Sequence, residues 1–202
     1  MAPNARIFVM SIPWFNATFD AVFGPWIVAH GYSSDNEPCD PAFDANGVPN
    51  AAREATMAKL RDAYNGALGD VCAQFVHCRY DGGVLSALEP VMSDFSFLSP
   101  TDVWAYTHPS VQGHAKMATA SWPATFDFTD RVAPASHASR TGTRVALAAT
   151  DNAGVSGIEY RLKPTGPWIR YSAPVTVPKA KTLTWRAVDV NGNCEATHSL
   201  KG

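Results

Sequence analysis

At Pro123 the chain changes texture, and that change limits the architectures open to it. Before it, apolar residues recur at three- and four-residue spacing. After it, short alternating runs take over: TRVALAATD, GIEYRLK, WIRYSAPVTV, TLTWRAVDV and CEATHSL, separated by the turn sequences DNAG, KPTGP and VNGN. A period of two, punctuated by Gly, Asn, Asp and Pro, is strand-and-turn chemistry, and several such strands make a small β-sandwich. The preceding stretch, FTDRVAPASHASRTG, reads as linker plus a first edge strand. Charge divides at the same place. Residues 1–123 hold six basic against twelve acidic side chains, and residues 124–202 hold ten against six. Two domains are therefore expected, 1–123 and 124–202.

The net charge of −2 does not point to nucleic acid as a partner. With 46% hydrophobic and 17% charged residues, the composition is that of a globular chain and not of a disordered one. No run approaches the ~18 apolar residues of a membrane span. MAPNARIFVM lacks the basic start and long apolar stretch of a signal peptide, so an export signal is not expected on this chain.

ARIFVMSIP, Ala5 to Pro13, is a short apolar run of the kind found in strands buried on both faces of a parallel sheet. Ser33 to Asn50 is loop, dense in Asp, Asn, Pro and Gly. An amphipathic helix is predicted from about Ala51 to Cys72, with Asn50 as N-cap and Met57, Leu60, Tyr64, Leu68 and Val71 as its apolar face. AQFVHCRY comes next as a second strand, which makes one strand–helix–strand unit with a right-handed crossover. Ser110 to Trp122 is a further helix beginning with an N-cap serine.

Four cysteines are present: Cys39, Cys72, Cys78 and Cys194. A corner between helix and strand brings Cys72 and Cys78 within the ~4.4–6.8 Å between Cα atoms that a disulfide needs. Two buried free thiols fit the same spacing. A zinc site from this pair with His108 and His114 is a third option, although C-x5-C and H-x5-H are not the usual spacings.

Three stretches, APNARIFVMSIP, AYNGALGDVCAQFVHCRYDGGVL and HPSVQGHAKMA, resemble the C-terminal half of a secreted actinobacterial SGNH (GDSL-type) ester hydrolase. The resemblance covers about residues 2–122. The third stretch carries it furthest, because His-Pro-Ser/Asn opens the last helix of that family. LAATDNAGVSGIEYRL, WIRYSAPVTV and LTWRAVDVNGN resemble the Ig-like modules that follow catalytic domains in bacterial secreted enzymes. The implied architecture is α/β: part of a flavodoxin-like three-layer sandwich, then a second, all-β Ig-like sandwich. The implied setting is extracellular, and no cofactor is implied.

In such hydrolases a serine attacks an ester carbonyl, and a histidine takes its proton and returns it to the leaving alcohol. A third group fixes the imidazole tautomer, and backbone and asparagine donors hold the oxyanion. Carried onto this chain, the base is His108. The family's aspartate, three residues before the histidine, corresponds to Ala105 here; the nearest acid is Asp102, which is taken as the orienting residue, with a main-chain carbonyl of that stretch as the alternative acceptor. The serine itself is missing. The chain has no Gly-Asp-Ser, its one Gly-Asp is Gly69–Asp70 inside the predicted helix, and the oxyanion Gly-x-Asn-Asp block is absent. Ser11 and Ser110 are available hydroxyls, but neither sits on a strand-to-helix elbow. The expected arrangement is a C-terminal portion, truncated or half of a split enzyme, inactive alone and completed by a separate N-terminal segment that carries the serine. Its substrate would be an ester of a lipid or an acylated carbohydrate. Without that segment the Ile7–Met10 strand is left as an open edge over a thin core, so marginal stability is expected.

A non-catalytic binding or cell-surface module is the alternative, with Trp168, Tyr171 and Trp185 as a sugar-stacking platform; alternate aromatics in strands are also ordinary core. Asp151, Asp189 and Asn191 gather oxygen ligands suited to calcium. Asx-turn chemistry explains the same residues without metal and is the preferred reading. Phe15, Phe19, Phe23 and Trp26 either line an apolar acyl pocket or cover the sheet.

Overall fold

A computed structural model describes residues 5–13, 48, 50–95 and 108–202. Asp102, Ala105, Cys39 and the aromatic set Phe15, Phe19, Phe23 and Trp26 lie outside the described residues. The molecule contains helices and several sheets, and it divides into two compact units. One comprises Met1–Val9, Asp70–Arg79 and Thr125–Gly202; the other comprises Met10–Gly69 and Tyr80–Ala124.

The first unit is built on the alternating runs. The strands are β3 (Ala135–Thr141), β4 (Arg144–Thr150), β5 (Val155–Arg161), β6 (Ile169–Arg170), β7 (Val175–Thr176), β8 (Thr182–Asp189) and β9 (His198–Lys201). They form a three-stranded sheet, β3-β4-β7, and a four-stranded sheet, β6-β5-β8-β9. Every pairing in both sheets is antiparallel. Inward residues of both sheets meet in one core: Val145 and Leu147 from β4, Val175 from β7, Ile158 from β5, and Leu183, Trp185 and Ala187 from β8. The predicted single run WIRYSAPVTV is two short strands on different sheets. Pro174 lies between them, and proline cannot donate to a ladder.

A register shift between Val155 and Gly157 bulges β5. The bulge turns the Ser156 hydroxyl onto the Val76 carbonyl, to which it donates at 2.7 Å. A Cβ at residue 157 would stand 2.8 Å from Val76 Cγ1, so only glycine fits there. Two further strands, β1 (Ile7–Val9) and β2 (Cys78–Tyr80), pair in a sheet of their own. Cys72 and Cys78 are joined as a disulfide with Cα atoms 5.3 Å apart. That bond closes both the free-thiol and the zinc readings, since a sulfur bonded to sulfur is no thiolate ligand.

In the second unit α1 (Ala51–Cys72), whose last three residues fall in the first unit, matches its predicted span. Asn50 caps it, its side-chain oxygen accepting from the amides of Ala52 and Arg53. The expected buried face is not the observed one. Met57, Leu60, Tyr64 and Val71 are 38%, 55%, 63% and 54% exposed, whereas Asn65 and Cys72 are buried at 7% and 3%. The inward stripe lies one residue, about 100° of helix, from the apolar one. The cause is a polar clamp: the Ile12 amide donates to Asn65 Oδ1 at 2.7 Å, and Asn65 Nδ2 donates back to the Ile12 carbonyl at 3.5 Å. The open edge expected at β1 is paired with β2 on one side.

Candidate functional site

His108 is exposed, three residues ahead of the start of α2 (Val111–Ser121). The residues directly after it are held in place by backbone and side-chain bonds. Pro109 forms a β-bridge with Phe95. Ser110 caps α2: its Oγ accepts from the Gly113 amide at 3.1 Å and donates to the Ser93 carbonyl at 2.7 Å, while its own amide donates to the Asp94 carbonyl at 2.8 Å. Gly113 lets the helix come this close, since a Cβ there would lie 2.1 Å from the Asp94 carbonyl oxygen. Lys116 closes the arrangement from the next turn, donating to Asp94 Oδ2 at 2.8 Å. Burial pushes the Asp94 carboxyl up, but the hydrogen bonds from Lys116 and the Val91 amide outweigh it and hold the group below the ordinary aspartate range. The result is a rigid ledge that carries an imidazole in contact with solvent. Among the described residues no side chain hydrogen-bonds to that ring.

Neither candidate hydroxyl is a free nucleophile. Ser11 is 2% exposed, donates to Asp81 Oδ2 at 2.8 Å and accepts from the Ser86 amide at 3.0 Å. Asp81 also takes the Gly83 and Leu85 amides, so Ser11 and Asp81 together fold the 81–86 turn. The Tyr80 phenol beside them is raised above its ordinary pKa by burial and by the Asp81 carboxylate. Ser110 is committed to its cap. Asp94 and Lys116 escaped prediction because their pairing joins two segments 22 residues apart. The local signal was the Asp94 side chain accepting from the amide three residues back.

The β unit holds a Ser, a Glu and a His in contact. Ser136 Oγ donates to Glu195 Oε1, Trp185 Nε1 donates to Ser136 Oγ at 2.9 Å, and His198 Nε2 stands 3.2 Å from Glu195 Oε2. The order of contacts is wrong for hydrolysis, because the carboxylate, not the imidazole, touches the hydroxyl. Glu195 also accepts the amides of Ser136 and Ala187 at 3.0 and 2.6 Å, which makes the group a clamp across β3 and β8.

The aromatic platform fares no better. Trp185 is core at 5% exposure, Tyr171 packs against the same core, and the guanidinium groups of Arg161 and Arg186 lie over the Trp168 ring at 4.4 and 4.5 Å. Two of the three rings therefore belong to the core, and the third is stacked with guanidinium groups.

The predicted Asx turns are present. Asp151 Oδ1 accepts from the Ala153 and Gly154 amides, and Asp189 Oδ1 accepts from those of Asn191 and Asn193. Gly192, at φ +78°, supplies the left-handed residue the second turn needs. Asn191 does not face the carboxylates as an oxygen ligand. Its Oδ1 accepts from the Asp127 amide, and its Nδ2 donates to Asp130 Oδ2 at 2.9 Å. That bond, the Val132 amide and Asn152 hold the Asp130 carboxyl below its ordinary range. Asp130, which the sequence did not single out, thereby joins Asp151 and Asp189, and one oxygen from each lies within 4.8 Å of the others.

Compared with known proteins, the chain matches no family model, no curated protein and no solved structure.

Proposed function

We propose that the chain is the C-terminal part of an SGNH-type serine ester hydrolase, followed by an Ig-like module, and that it supplies the proton acceptor, His108. The observation that carries this reading is the solvent-exposed imidazole on a ledge fixed by Pro109, Ser110 and Asp94. A general base needs that combination of access and rigid placement. The nucleophile belongs to a Gly-Asp-Ser segment outside these 202 residues, consistent with Ser11 and Ser110 being committed elsewhere. Asp102, or a carbonyl near it, orients the ring. The substrate is an ester of a lipid or an acylated carbohydrate. The setting is extracellular, where a disulfide such as Cys72–Cys78 persists.

The test is complementation. The purified chain is mixed with a segment bearing Gly-Asp-Ser and assayed on a p-nitrophenyl ester. Activity appears only in the mixture, and His108→Ala lowers it by about 10²–10⁴-fold. Equal activity of the His108→Ala mixture removes the assigned role. Ordinary enzymatic turnover by the chain alone removes the reading altogether.

A further inference from the structure

Asp130 precedes β3, Asp151 follows β4 and Asp189 closes β8. The pairings Ala135↔Thr150 and Val155↔Asp189 bring all three to one end of the β unit. Asp189 is 1% exposed, and an oxygen from each carboxylate lies within 4.8 Å of the other two. Among the described residues no Lys, Arg or His forms an ion pair with any of them. Like charges so close, one of them fully buried, call for a cation or a proton.

A second observation is independent of that crowding. The turn at Asp151 consumes only Oδ1; Oδ2 is enclosed and accepts no hydrogen bond. A buried carboxylate oxygen without a donor loses its hydration for nothing in return. A hard divalent ion supplies what is missing. Calcium takes six to eight oxygens at about 2.3–2.6 Å in flexible geometry, so ligands on opposite sides of the ion are about 5 Å apart. Carboxylates from two loops and a strand end suit that tolerance better than the strict octahedron of magnesium.

We propose that Asp130, Asp151 and Asp189 bind a calcium ion that ties the start of β3, the β4–β5 turn and the end of β8 together. The inference does not depend on the hydrolase reading. Its test uses the full chain stripped with EDTA. Calorimetric titration with calcium chloride shows one ion per chain, and about 10 mM calcium raises the thermal midpoint by at least ~5 °C. Asp151→Asn keeps Oδ1 for its turn, abolishes that rise, and melts in EDTA no lower than the wild type, because a like charge has been removed. Asp130→Asn, on the member that precedes β3, gives the same loss if Asp151→Asn fails to fold. No heat and no shift with the wild type at that concentration overturn the site. A calcium response unchanged in both variants places the ion elsewhere and overturns it equally.

Discussion

Lys116 and Asp94 set the stability of the His108 ledge through one charge-assisted hydrogen bond at 2.8 Å. Burial pushes the folded carboxyl up, but the two donors outweigh it and leave its pKa lowered. The unfolded chain therefore binds the more protons in the window between the two values. The contribution is fully present above the unfolded value, about 3.9, and is lost as pH falls through the lower folded one. Lys116→Met is expected to cost roughly 1–2 kcal/mol in urea at pH 7, at the low end for a charged bond because the lysine is partly exposed. The gap from the wild type closes as pH falls through the lowered folded value, below which the carboxyl is neutral in both. Glu159 and Arg186 are the more buried pair, at 8% and 7% exposure, and face each other across β5 and β8. Burial pushes the Glu159 carboxyl up, but His77 and Arg186 outweigh it and hold the group low. Arg186→Met leaves that carboxylate without its guanidinium partner and is expected to cost about 3 kcal/mol at pH 7, whereas Glu159→Gln with Arg186→Met costs less than Arg186→Met alone. A double-mutant cycle by urea denaturation measures both.

Two glycines test the helices as elements. Gly66, in the middle of α1, has nothing within 4 Å of where a Cβ would stand. Gly66→Ala is expected to stabilise by about 0.5–1 kcal/mol, from helix propensity alone. Gly113 faces the Asp94 carbonyl, and a Cβ there must push the first turn of α2 off Ser93–Phe95. Gly113→Ala is expected to destabilise by about 1–3 kcal/mol and to perturb the Ser110 cap. The same substitution with opposite signs, read by thermal melts, separates propensity from packing.

At the scale of the molecule, the change of texture at residue 123 and the compact units do not share one cut. Residues 125–202 stay together, but Asp70–Arg79 belongs with them, 4%-exposed Val76 included. Val76 accepts from Ser156, and His77 Nε2 lies 3.6 Å from Glu159 Oε1. A polypeptide of residues 125–202 alone is expected to unfold roughly 2–4 kcal/mol more easily than the same strands in the full chain, from one lost aliphatic burial and two lost polar contacts. Denaturation followed through the buried Trp185 reads this directly. An isolated module as stable as the intact one contradicts it.

The period-two runs from residue 143 onward, the span of α1, and the caps at Asn50 and Ser110 were legible in the residues. Each depends on neighbours a few positions away, where propensity and hydrogen-bonding reach are local. His108 was legible only as a likeness to another family's last motif. Which side of α1 turns inward was not legible, because Asn65 answers to Ile12, 53 positions away. Nor was the meeting of Asp130 with Asp151 and Asp189, since no pattern along the chain encodes which strand ends share a rim. Short-range chemistry is written in the order of residues; the faces that meet, and the charges brought together, are set by long-range register when the sheets close on their core.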